Sequence, residues 1–168
     1  MLIELGHFSL ILGLMISLVQ AFVPLIGANK GWYNWMAVAD TTAIIQFLLI
    51  SFSFFTLMVA FISSDFSVRL VALNSHSLKP LLYKVSGTWG NHEGSMLLWV
   101  LILALYGGLI SLFGRKLPLP LKSRVLAVQA FISSAFLGFL LFTSNPFARE
   151  SHPPIDGNGL NPVLQDPG

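Results

Sequence analysis

Trp89, His92 and Glu93 stand within GTWGNHEGSMLLWV (residues 87–100), where three glycines loosen the chain just ahead of an uncharged apolar run. With a helix starting near Gly90, Trp89, His92, Met96 and Trp99 fall along one stripe. His92 and Glu93 point about 100° apart, so they are not a ready-made pair. Glu93 is favourable at a helix N-terminus. Two readings follow from the spacing. One is a capped helix entrance with an interfacial tryptophan. The other is the border of a site for a flat aromatic ligand at the membrane surface, since an ionisable residue at that depth is a functional candidate. Spacing does not separate them.

Elsewhere the chemistry is sparse. There is no Walker A sequence, no GxGxxG after a strand, no HExxH and no GxSxG. His7, His76, His92 and His152 are scattered without an i, i+4 pair, so a metal site within this chain alone is not expected. Glu4 and His7 share a helix face and read as a local pair, with a proton-accessible site as the alternative. Cysteine is absent, which removes disulfides, thiolate metal sites and cysteine nucleophiles. The net charge is only +2, and no basic patch is interleaved with aromatics, so nucleic acid is not an expected partner.

What must position these residues is a set of membrane helices. Of the 168 residues, 55% are hydrophobic and 10% charged, against about a quarter charged in a soluble domain. Uncharged stretches at 8–28, 41–63, 95–113 and 125–143 each reach the ~17–25 residues that cross a bilayer core. The predicted fold is all-α and polytopic: four transmembrane helices over 1–143, then a Pro/Gly-rich tail over 144–168. The first stretch lacks a positive n-region and exceeds a signal-peptide core, so it reads as a retained helix.

Arg115, Lys116, Lys122 and Arg124 crowd the connection 114–124, with no acid among them. By the positive-inside tendency that loop is cytoplasmic or matrix-side, and the N-terminus, residues 64–94 and the tail face the opposite side. VRLVALNSHSLKPLLYKV, within 64–94, is predicted to lie on the membrane surface or against the helix ends. Membrane lipid is thus one partner. Small residues mark where helices approach: Ala130, Ser134 and Gly138 on the fourth helix, Ala104 and Gly108 on the third, and Gly13, Ser17, Gln20 and Pro24 on the first. This face predicts that Gly138→Leu disturbs assembly of the complex more than Leu140→Ala. The amides of Gln20, Gln46 and Gln129 should find partners inside the bundle.

Three segments together resemble one family: MLIELGHFSLILGL, SDFSVRLVALNSHSLKPLLYKVSGTWGNHEGSMLLWVLILALYG, and LLFTSNPFARE with GLNPVLQDPG. They are similar to the N-terminal part of the CcmF-type cytochrome c haem lyases and share motifs with a nitrite-reductase relative. The resemblance implies a protein of the bacterial or mitochondrial inner membrane that takes haem from a haem chaperone. With other lyase subunits it would join haem to an apocytochrome c on the outer face. It also implies haem-ligating histidines beyond Gly168, supplied by the rest of the same protein. His152 precedes the LNPVLQDPG landmark, so no ligand role is carried to it. Trp89, His92 and Glu93 would border the haem site, with no catalytic residue and no haem ligand in this chain. Two other classes remain on residues alone. A small transporter would use Glu4, His7 and the glutamines, but no run contains an acid. A structural subunit would dock a larger partner through its helix faces.

Overall fold

The computed structural model describes residues 1–159. Its elements are α1 (Leu2–Lys30), α2 (Tyr33–Ile62), α3 (Arg69–Asn74), α4 (Leu81–Gly87), α5 (His92–Phe113) and α6 (Leu119–Phe142), with a 3₁₀ turn at Gly114–Lys116. Four of the helices are long and apolar enough to cross a membrane. They extend past the charge-free runs, because a helix continues into the headgroup zone where Asp40, Lys122 and Arg124 are tolerated. α1 packs against α2 and α6, α2 against α5, and α5 against α6, closing a four-membered ring. Its two ends differ. Short turns join α1 to α2 and α5 to α6 at the turn end, whereas residues 64–91 and 143–159 gather at the other, the tail end.

The α1–α2 hairpin follows from a seam of small residues. Ile3, Gly6, Leu10, Gly13, Ser17, Gln20, Pro24 and Gly27 are all buried, alternating in steps of three and four as in a coiled coil. The approach is close enough to exclude side chains. A Cβ on Gly27 would sit 2.7 Å from the Trp35 Cβ and 2.9 Å from the Met36 nitrogen, and one on Gly6 would sit 2.7 Å from Thr56. Gly31 then ends α1 in the left-handed conformation (φ 74°), its N–H bonded to the Gly27 carbonyl. The sequence reading aligned the middle of this seam and missed its glycine ends.

On α6 the described bundle buries only part of the expected face. Ala130 is fully buried, as are Ala104 and Gly108 of α5. Ser134 is half-buried and bonds back to the Ala130 carbonyl at 2.5 Å. A Cβ on Gly138 meets nothing within 4 Å, while Leu140 is 0% exposed in the main core. For the stability of this bundle, Leu140 is thus the more sensitive position. Leu140→Ala is expected to cost about 2 kcal/mol, the low end for such truncations because lipid and core are equally apolar and only packing is lost. Gly138→Leu should change little. Detergent-denaturation midpoints of the two variants measure this, and a larger loss for Gly138→Leu would overturn it.

Of the buried amides, Gln20 donates to the Leu126 carbonyl at 3.2 Å and Gln129 to that of Leu103. The Gln46 amide nitrogen has no partner among the described residues. The predicted surface segment divides in two. α3 buries Leu70, Val71 and Ala72 in the bundle, so it is core rather than a lipid-lying element. α4 buries nothing, and leaves Leu81 and Leu82 exposed. The Lys79-Pro80 interruption separates these fates.

Candidate functional site at the tail end

Residues 88–94 form a tight helix entrance. Asn91 caps α5: its side-chain oxygen accepts from the Gly94 N–H at 2.7 Å, and its amide donates to the Gly87 carbonyl at 2.7 Å. Gly94 is required by contact, since a Cβ there would lie 1.7 Å from the Thr88 carbonyl oxygen. The sequence reading credited this entrance to Glu93 and the helix dipole and missed Asn91. An Asn two residues ahead of a glutamate at the head of an apolar run was the available signal.

This entrance sends its two ionisable side chains to different cavities. His92 lies over an apolar groove of about 340 Å³ lined by Met96, Ala135, Phe136 and Phe139. Its ring stands edge-on to Phe139, with centroids 6.2 Å apart. Glu93 instead lines a polar cavity of about 380 Å³ with Arg69, Leu73, Thr143, Ser144 and Asn145 among its walls. Trp89 is exposed and lines neither.

A second cluster ties the tail to the first helix. Arg149 bonds the Glu4 carboxylate and the Ser67 hydroxyl, and lies 4.0 Å from Asp65. An isolated bridge pairs Val68 with Arg149, and the Glu150 N–H donates to the Ser67 carbonyl at 3.0 Å. Glu4 also holds the N-terminal ammonium at 2.6 Å. His7 shares a 3.1 Å hydrogen bond with Asn145 and stacks on Phe147. Glu4 and His7 therefore do not pair with each other, because the tail supplies a partner to each.

Further along, Asp156 accepts from the Ser77 hydroxyl at 2.5 Å and the Ser77 N–H at 2.9 Å, with His76 at 3.4 Å. The Ser77 hydroxyl, then its N–H, hold the Asp156 carboxyl below its usual range. His152 is exposed, with its Nδ1 3.3 Å from the Ser151 hydroxyl. Among the described residues no group of three His, Cys, Asp or Glu side chains comes together for a metal. Each of the other histidines has its own surroundings: His7 is engaged by Asn145, His76 by Asp156, and His92 lines its groove.

Residues 89–168 match the family described as cytochrome C assembly protein. The whole chain aligns with the cytochrome c-type biogenesis protein ccl1 of Rhodobacter capsulatus at 60% identity, covering 26% of that protein. CcmF of Escherichia coli is 43% identical over 169 residues. A solved structure titled cytochrome c heme lyase CcmF superposes with a TM-score of 0.83 at 30% identity, covering 90% of this chain and 26% of that one. The chain belongs to the CcmF-type cytochrome c biogenesis family. It corresponds to the N-terminal part of such a protein and spans about a quarter of the length of the curated relatives it matches. The cytochrome c-type biogenesis protein NrfE of Haemophilus influenzae also aligns, at 38% identity over 168 residues. Family and bundle agree on a multi-pass membrane protein. The stretch 160–168, which carries LNPVLQDPG, lies outside the described residues.

Proposed function

We propose that this chain is the N-terminal section of a membrane haem lyase subunit that attaches haem to apocytochrome c. The observation that carries this reading is the match of the bundle, at TM-score 0.83, to a solved cytochrome c haem lyase. In it the four helices form a scaffold in the inner membrane. The tail end faces outward, and the segment 144–168 leads to the haem site of the remaining polypeptide. Haem arrives from a haem chaperone, and other lyase subunits and the apocytochrome meet the same face. Trp89, His92 and Glu93 border that face, and the haem ligands come from outside this chain. His92 is the best placed of the three, because it overhangs an aromatic-lined groove.

The test uses the protein reassembled with the rest of its polypeptide. His92→Ala is expected to leave haem absorbance in place while cytochrome c maturation falls, since misplacing a reacting edge by about 1 Å can slow a reaction ~100-fold. Loss of the haem itself would promote His92 to a ligand. Unchanged maturation would return the histidine to a plain helix entrance.

Orientation has its own test. Arg115 and Lys116 are exposed at the turn end, and Ser151 is exposed at the tail end. Cysteines at Lys116 and Ser151 should react with an impermeant thiol reagent in intact cells only at 151. Ser123, which shares the basic loop, is fully buried and cannot report. Labelling at 116 alone would invert the topology.

A further inference from the structure

We propose that the polar cavity beside Glu93 seats the headgroup of an amine-bearing phospholipid whose acyl chain runs down the groove beneath His92. The cavity presents charges of both signs. Arg69 and Glu93 line it together, and neither forms an ion pair with any described residue. A purely anionic ligand would meet the Glu93 carboxylate, and a purely cationic one the Arg69 guanidinium. A ligand carrying a phosphate and an ammonium a short linker apart satisfies both. The hydroxyls of Thr143 and Ser144 line the same walls and make no side-chain hydrogen bond with described residues. They are free to donate to phosphate oxygens alongside Arg69. Asn145 is already committed to His7 and to the Phe147 N–H, so it shapes the wall instead.

The second observation is the groove. Ala135 and Phe139 line it, and Thr143, the next residue at that spacing, lines the polar cavity. Along α6 these three positions are i, i+4 and i+8, one stripe leading from polar to apolar. His92 and Glu93, adjacent on α5, face the two compartments from the other side. The polar compartment lies at the ends of membrane-spanning helices, where headgroups lie, and the apolar one lies along their flanks. An extended peptide could meet both charges but would have no use for an aromatic groove descending between two spanning helices. This reading does not depend on the lyase assignment.

The experiment places the purified protein in nanodiscs of equal phosphatidylethanolamine and phosphatidylglycerol. It then reads retained lipid by native mass spectrometry after transfer to detergent. Ethanolamine lipid should be retained about tenfold over glycerol lipid, the scale of one charge-assisted hydrogen bond. Glu93→Gln should bring the two to parity, and Arg69→Gln should reduce both, each with an unchanged melting curve. Should either variant fail to fold, a photo-crosslinking residue at Leu73, an exposed wall of the cavity, decides the matter by forming a lipid adduct. Equal retention by the unmodified protein overturns the proposal. So does a polypeptide adduct at 73.

Discussion

Asp40→Ala should lower the stability of the bundle by about 3 kcal/mol, because it strands a buried ammonium. Lys122 belongs by sequence to a basic loop, yet its side chain is only 7% exposed, and its Nζ lies 2.7 Å from the Asp40 carboxylate. It also donates to the Ser111 carbonyl at 3.0 Å, while the Ser111 hydroxyl donates to the Asp40 carbonyl at 3.0 Å. Three helices are thus joined at the turn end by one charge pair and one serine. The asymmetry of exposure sets the asymmetry of effect. Lys122→Met leaves Asp40, which is 36% exposed, with access to water, so its cost should be nearer 1 kcal/mol. The double variant should cost less than Asp40→Ala alone, since no uncompensated charge remains. Denaturation in mixed detergent micelles measures all three. Equal small losses in both single variants would reduce the pair to an exposed contact.

Gly94→Ala is expected to be worse, costing about 4 kcal/mol, although it adds a single methyl group. That methyl would stand 1.7 Å from the Thr88 oxygen, 2.8 Å from the Thr88 carbonyl carbon and 2.9 Å from the Asn91 side-chain oxygen. Two of these obstacles are backbone and cannot rotate away. The turn must open, and the Asn91 cap, worth about 1 kcal/mol by itself, goes with it. His92 and Glu93 lose their fixed directions in the same event. Gly90→Ala supplies the control, because its nearest neighbour is 3.4 Å away, and it should cost no more than about 1 kcal/mol. Thermal unfolding compares the two, and a Gly94→Ala protein as stable as Gly90→Ala would show that the turn can yield.

The four spanning helices were legible because charge-free length alone decides them, and the divergence of His92 from Glu93 followed from helical geometry. Which α6 residues face the core was not legible. In lipid a core leucine and a lipid-facing leucine have the same polarity, so no periodic signal separates Leu140 from its neighbours. Small residues mark where helices can approach and not where they do, so in this bundle Ala130 is buried while Gly138 lies open. Lys122 was counted with its loop because its partner, Asp40, lies on a different helix far away in sequence. Arg149 was silent for the same reason. At the site, the seam of glycines hinted at tight turns, but the cavity shared by Arg69, Glu93 and Ser144 is assembled from three separate segments that no spacing connects.

The clasp of Arg149 on Glu4 also sets an order of events during synthesis. The α1–α2 seam is local and can close while the rest of the chain is still being made. The bond between residues 4 and 149 cannot. Until then Glu4 faces the membrane edge with only the chain's own N-terminal ammonium as partner, and Asp65 and Ser67 wait with it. Closing so long a loop adds little entropy cost over a loop of half the length, but such contacts form late. Until residue 149 has been made, the tail end of α1 is held by its seam with α2, where Ser9 bonds the Leu49 carbonyl and Gly6 lies against Thr56. The clasp to the tail is a second, later fastening of the same helix.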